Sequence, residues 1–133
     1  NMTKSMGYHT DFSASRFIDA IMVKSEFSRT NFENAIFQQV DWSRAEIGRA
    51  EFNGAKLDGV KFEHSNLSRA RFTGATLNQV NFIGAYTFYT QFQGVDLSNT
   101  QNIDQAQINI ACGDNDTVLP FGLKRPSTWP CSD

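Results

Sequence analysis

Proline stands only at positions 120, 126 and 130, so the chain divides into a proline-free body and a proline-bearing tail. Both cysteines, Cys112 and Cys131, also lie in that tail. No stretch approaches the roughly 20 apolar residues of a membrane-spanning helix. The opening run NMTKSMGYHTDFSAS has no apolar core of signal-peptide type, and any export signal is expected to be absent or already removed. Charge of one sign is lacking as well. Twelve Lys and Arg against fourteen Asp and Glu leave a net charge of −2, which excludes both a grossly basic nucleic-acid binder and a grossly acidic chain. The two histidines, His9 and His64, are remote from each other and provide no paired zinc spacing. The sequence has no nucleophile elbow, phosphate loop, zinc-protease helix or calcium loop.

What the chain has in excess is phenylalanine, twelve residues, arranged with a period that neither a helix nor a strand would produce. Stepping by five from Phe12 gives Phe17, Met22, Phe27, Phe32, Phe37, Trp42, Ile47, Phe52, Leu57, Phe62, Leu67, Phe72, Leu77, Phe82, Thr87, Phe92 and Leu97. Only Thr87 is not large and apolar. Two residues before each of these, from Thr10 to Val95, every position is Ala, Ser, Thr or Val. Two such columns identify an internal repeat.

The run AEFNG AKLDG VKFEH SNLSR ARFTG ATLNQ VNFIG resembles the pentapeptide-repeat family, whose pattern is A(D/N)LXX, and the resemblance extends over residues 10–100. It implies an all-β, right-handed quadrilateral β-helix in which each pentapeptide makes one side and four make a coil. The central large residue and the preceding small one then point inward. A narrow tube accommodates one large side chain per side only where the other inward residue is small. A twenty-residue coil also sorts residues by side: Phe12, Phe32, Phe52, Phe72 and Phe92 would stack, as would Phe17, Phe37, Leu57, Leu77 and Leu97. Gly54, Gly74 and Gly94 fall in one corner column, where a tight turn calls for positive φ. Eighteen repeats give about four to five coils, or about 20 Å of tube at strand spacing.

Three segments are expected: a lead-in or cap over 1–9, the β-helix over 10–100, and a cap helix with an irregular tail over 101–133. The repeat register slips after Leu97, and Asp104 ahead of Ile108 and Ile110 predicts a short capping helix. The segment DQAQINIACGDNDTVLPFGLKRPSTWPC resembles the C-terminal extension of some bacterial pentapeptide-repeat proteins. Cys112 and Cys131 are either a disulfide pinning this tail or two separate buried thiols. The first would imply an oxidising compartment, periplasmic or exported, over the cytoplasm.

No catalytic, cofactor-binding or metal-binding residues are expected, and an enzyme is not. The register stacks Arg29, Arg49 and Arg69 in one corner column, with Lys24, Arg44 and His64 in the next. This basic ridge is either a contact for an anionic partner or a solvated face offset by Glu26 and Glu46. A second candidate contact is the outward aromatic group Tyr86, Phe88 and Tyr89, which either the tail, a partner or a second copy would cover. The leading expectation is a non-catalytic interaction scaffold with a protein partner; nucleic acid is disfavoured and a homodimer remains open. One alternative comes from the resemblance: some family members mimic DNA, bind gyrase and confer quinolone resistance. A body with ten acidic and nine basic residues departs from that strongly acidic type. Another alternative is an exported bacterial effector or envelope protein.

Overall fold

The computed structural model describes residues 1–131. Each pentapeptide supplies a short extended side followed by a corner, and the corner falls two residues after the inward-pointing large side chain. There φ is positive, at Gly54 and Gly74 as expected, but equally at Ala14, Asn34, Arg29 and Arg49. Positive φ is thus a demand of every corner from Ala14 to Gly94, glycines included. A non-glycine residue meets it at a backbone cost of about 1–2 kcal/mol, which the surrounding ladder must hold.

Four sides close one coil. Strands β1 (Arg16–Ile18), β2 (Ile36–Gln38), β3 (Lys56–Asp58) and β4 (Thr76–Asn78) form a parallel sheet in that order. Phe17 lies opposite Phe37, Phe37 opposite Leu57, and Leu57 opposite Leu77. The other three sides are held by single parallel bridges such as Asp11 to Asn31, Ile21 to Asp41 and Glu26 to Glu46. Parallel strands need a long crossover, and here the rest of the coil is that crossover. The result is the right-handed quadrilateral β-helix. A shorter pair, β5 (Val80–Asn81) with β6 (Thr100–Gln101), continues the ladder toward the C-terminal end.

The inward columns stack as layers. Phe32 and Phe52 have ring centroids 5.2 Å apart, Phe52 and Phe72 4.8 Å, each pair nearly parallel, and Phe72 and Phe92 follow at 5.5 Å. Ala35, Ala50, Ala55 and Ala70 fill the small inward positions and are fully buried. Where that position is polar, the hydroxyl finds a carbonyl: Ser65 donates to Phe62 at 2.8 Å and Thr30 to Gly7 at 2.7 Å. Residues 1–9 run in the same ladder, with the Met2 amide donating to Ile21 and the Gly7 amide to Glu26. Gly7 occupies a core position because the ring of Phe27 fills the space where its Cβ would stand.

At the other end the coil lengthens. Gln91 bridges Cys112, and Asp96 bridges Val118. The extra chain forms helix α1 (Gln105–Ile110), the predicted cap. The Asp104 carboxylate accepts from the Gln107 amide and the Gln107 side chain accepts from the Asp104 amide, a reciprocal capping box. Gln107 also donates to the carbonyls of Phe82 and Ala85 at 2.7 and 3.0 Å. Thr87, the one exception in the core column, is fully buried and donates its hydroxyl to the Gln107 carbonyl at 2.8 Å. The break in the apolar column is therefore the socket that receives the cap.

The tail closes the end of the tube. Trp129 covers Gly113 and donates its indole N–H to the Ala111 carbonyl at 2.8 Å. Arg125 donates to the carbonyls of Asp114 and Thr117, and the Thr117 hydroxyl donates to Phe92. Desolvation pushes the Asp114 carboxyl up, but the amides of Gly94, Asp116 and Thr117 and the Thr117 hydroxyl outweigh it and hold the group below its ordinary value.

Two expected outcomes follow from this architecture. The Trp42 indole N–H is buried without a hydrogen-bond partner among the described residues, and the next two residues in its column are Phe62 and Phe82. Trp42→Phe removes the unsatisfied donor and is expected to change stability by no more than about 1 kcal/mol. Phe52→Ala, in the middle of the Phe stack, is expected to cost about 3–5 kcal/mol. Urea unfolding of both variants checks this, and a loss in Trp42→Phe as large as in Phe52→Ala would contradict it. Because the folded Asp114 pKa is lowered, its contribution is present above the ordinary value of 3.8 and is lost as pH falls through the lower folded value. Amide exchange at Asp116 and Thr117 should therefore quicken, relative to the free chain, below about pH 4. Asp114→Asn should remove that pH dependence.

Candidate partner-binding groove

Side-chain direction in this fold follows from position in the repeat, so functional groups on the surface are columns rather than motifs. The corner column of one side reads His9, Arg29, Arg49, Arg69, Tyr89. Each amide in it donates to the carbonyl one coil on: His9 to Ser28, Arg29 to Gly48, Arg49 to Ser68, Arg69 to Phe88, Tyr89 to Ile110. The predicted stack of Arg29, Arg49 and Arg69 is thus held by backbone, with a pitch near 4.8 Å. The column beside it reads Asp11, Asn31, Glu51, Arg71, Gln91.

Between these two columns runs an open groove of about 690 Å³. Its cations are Arg29, Arg49, Arg69 and Arg71, with His9 at one end, and its one carboxylate is Glu51. Tyr89, Gln91 and Cys131 complete the other end. Among the described residues, the hydrogen bonds made by arginine side chains are those of Arg125. The four guanidiniums of the groove make none among the described residues. Beyond Glu51, the carboxyl of Glu33 is pushed above its ordinary value, first by a shared hydrogen bond with Glu51, then by desolvation and by the charges of Glu51 and Asp11.

The sequence treats the basic ridge and the aromatic group as separate features, but the structure joins them. The Arg69 guanidinium carbon lies 5.4 Å from the Phe88 ring centroid and 5.3 Å from that of Tyr89, cation–π distances. Phe88 and Tyr89 pack edge to face at 4.8 Å, and Tyr86 stacks on Phe88 at 6.1 Å. The tail covers this group only in part: Thr128, Pro130 and Cys131 border Phe88 and Tyr89, and Phe88 is half-buried. Tyr86 is 51% and Tyr89 37% exposed, because Leu123 and Trp129 pack on the end of the tube instead and Phe121 projects fully into solvent. Lys24, Arg44 and His64 stand on the preceding corner, outside the groove, with the Glu26 and Glu46 column on the side between. Arg71 and Gln91 were not singled out from the sequence. The signal was available, since they follow the corner column by two residues in each coil. Cys131 reaches the groove only through the fold of the tail, which brings its Cα to 5.6 Å from that of Cys112.

Two family models match the chain: "Pentapeptide repeat region" over residues 8–72 and "Pentapeptide repeats (8 copies)" over residues 65–100. No curated protein matches it in sequence. Among solved structures, the fold is similar to that of a pentapeptide repeat protein from the Arabidopsis thaliana thylakoid lumen. The TM-score is 0.69 at 21% identity, covering 84% of this chain and 80% of that one. It is also similar to HetL, a pentapeptide repeat protein involved in heterocyst differentiation regulation from the cyanobacterium Nostoc. Here the TM-score is 0.52 at 17% identity, covering 68% of this chain and 47% of HetL, about half its length. The plasmid-mediated fluoroquinolone resistance protein QnrB1 aligns at a TM-score of 0.38 and 16% identity, over 92% of this chain and 80% of that one. These identities speak for the fold alone.

Proposed function

The chain belongs to the pentapeptide-repeat family, and from that premise we propose that it is a non-catalytic interaction scaffold whose partner is an anionic stretch of another protein, held along the Arg29–Arg49–Arg69 corner. The observation that carries this reading is the convergence of four guanidiniums on one open groove with no internal hydrogen-bond partner among the described residues. Neighbouring like charges about 5 Å apart repel by about 1 kcal/mol per pair in water. An anionic partner relieves that repulsion. Each guanidinium presents a planar fork that donates two parallel bonds to a carboxylate. The groove lies on a convex tube open to water, which favours charge and shape recognition over the desolvation that acid–base chemistry needs. A row of cations is also the wrong sign for a surface imitating a phosphate backbone, which weighs against the DNA-mimic alternative.

A second reading, of compartment, is favoured by the approach of Cys112 to Cys131. A bond closing that stretch of 19 residues would stabilise the tail by about 3 kcal/mol. It would persist in an oxidising compartment. We place the protein outside a reducing cytosol on that ground.

Both readings are testable. Glycine suits the positive φ of the Arg corner, so the triple variant Arg29→Gly, Arg49→Gly, Arg69→Gly removes the charges without straining the backbone. Wild-type protein is expected to bind poly-L-glutamate with an affinity that falls as salt rises, and the triple variant is expected to lose most of that binding. Equal retention of poly-L-glutamate by both would refute the groove as the contact. Alkylation of native protein without reductant, followed by mass measurement, should find no free thiol. Two alkylated cysteines would remove the support for the compartment.

A further inference from the structure

The groove does not stop at Tyr89. It opens into a second hollow of about 450 Å³ lined by Phe88, Ile110, Ala111 and Pro130, and the two share Tyr89 and Cys131. The lining changes over that junction from a row of guanidiniums to a mixed surface, with the rings and aliphatic groups of Phe88, Ile110 and Pro130 beside the polar Asn109 and Thr128. Ile110 is 41% exposed and Tyr89 37% exposed at its margin, while Cys112 at its base is fully buried. Arg69, lodged against the Phe88 and Tyr89 rings, is the last cation before the change.

On the basis of the scaffold reading above, we infer that this composite site takes an extended acidic peptide segment ending on an apolar side chain, with its carboxylates on the arginine row and the apolar side chain in the hollow beside Tyr89 and Pro130. The dimensions agree. From His9 to Tyr89 the corner column climbs four coil steps, about 19 Å at a pitch of about 4.8 Å, which about six residues of extended peptide span at about 3.3 Å each. The charge pattern selects a peptide over a nucleic-acid strand. Glu26 and Glu46 stand one column away on one flank, and Glu51 lies within the groove with Glu33 just beyond it. A strand with a phosphate at every step meets those carboxylates, whereas an extended peptide turns every second side chain away from them. The rings and aliphatic surfaces of Phe88, Ile110 and Pro130 have no counterpart in a purely electrostatic site, and an aromatic residue would stack against the Phe88–Tyr89 pair.

The test uses fluorescence anisotropy with three labelled probes. These are the hexapeptide Glu-Glu-Glu-Glu-Gly-Phe, the same peptide with Ala in place of Phe, and an oligothymidylate of about ten nucleotides. Three proteins are compared: wild type, Arg49→Gly and Tyr89→Gly. Both substitutions fall at positive-φ corners that glycine accepts, and thermal melting confirms that each variant is folded. Wild type is expected to bind the Phe peptide about tenfold tighter than the Ala peptide, as partial burial of one phenyl ring provides. Arg49→Gly should weaken both peptides alike, and Tyr89→Gly should erase the preference for Phe, bringing the two peptides to the same affinity. If wild type binds the two peptides equally and Arg49→Gly weakens both, the arginine groove stands and the composite site is overturned. If Arg49→Gly binds both as wild type does, or wild type binds neither, the scaffold reading fails and this inference with it. Oligothymidylate binding tighter than the Phe peptide overturns the choice of a peptide ligand.

Discussion

Amides of the large inward residues donate to a carbonyl one coil on, from Met2 to Ile21 through Phe32 to Glu51 and Phe72 to Gln91, and the rest of the molecule hangs on the repetition of that bond. Because the coil closes at the same residue count each time, like positions stand over like. Rings meet rings within the tube, and the positive-φ corners are over-determined by bonds above and below. A solenoid has no contacts between distant coils, so an error of one residue in the ladder would turn the small inward column outward. The narrowness of the two inward columns is the sequence's answer to that constraint.

The ends obey a different rule. A ladder that simply stopped would expose both apolar layers and unpaired backbone groups. At the C-terminal end the chain lengthens its coil to admit α1, and the polar residues needed to seat it are drawn into the core. Thr87 and Gln107 place a hydroxyl, a carboxamide and a carbonyl where an apolar column would have left the carbonyls of Phe82 and Ala85 unanswered. Trp129 then covers the top, and Arg125 is used entirely on carbonyls of the tail. One arginine is structural while four others face a groove.

The separation of inward and outward columns leaves the surface free of the core. The outward positions can therefore carry charge in rows whose pitch is set by the backbone. Flexible side chains such as arginine ordinarily lose conformational entropy on binding. Here the anchor points are already aligned, and Arg69 is further held against two rings. That combination of fixed origin and mobile tip suits recognition of an extended partner.

The tube itself was legible in the sequence because its two inward columns recur at a fixed step and its coil sorts residue type by side. Even the cap helix was announced by Asp104 ahead of Ile108 and Ile110. The stack of Arg29, Arg49 and Arg69 could be read for the same reason, since register alone places a corner residue. The path of the tail could not be read. Once the period breaks, position no longer dictates direction, and Leu123, Trp129 and Cys131 find their places by packing against what is left uncovered. So only the tertiary structure decided that Tyr86 and Tyr89 stay exposed, that the aromatic group shelters Arg69, and that the basic groove adjoins a hollow lined by Phe88, Ile110 and Pro130. Local chemistry repeated at a constant interval determines a lattice from sequence, while contacts between segments of different period depend on three-dimensional complementarity, which no interval encodes.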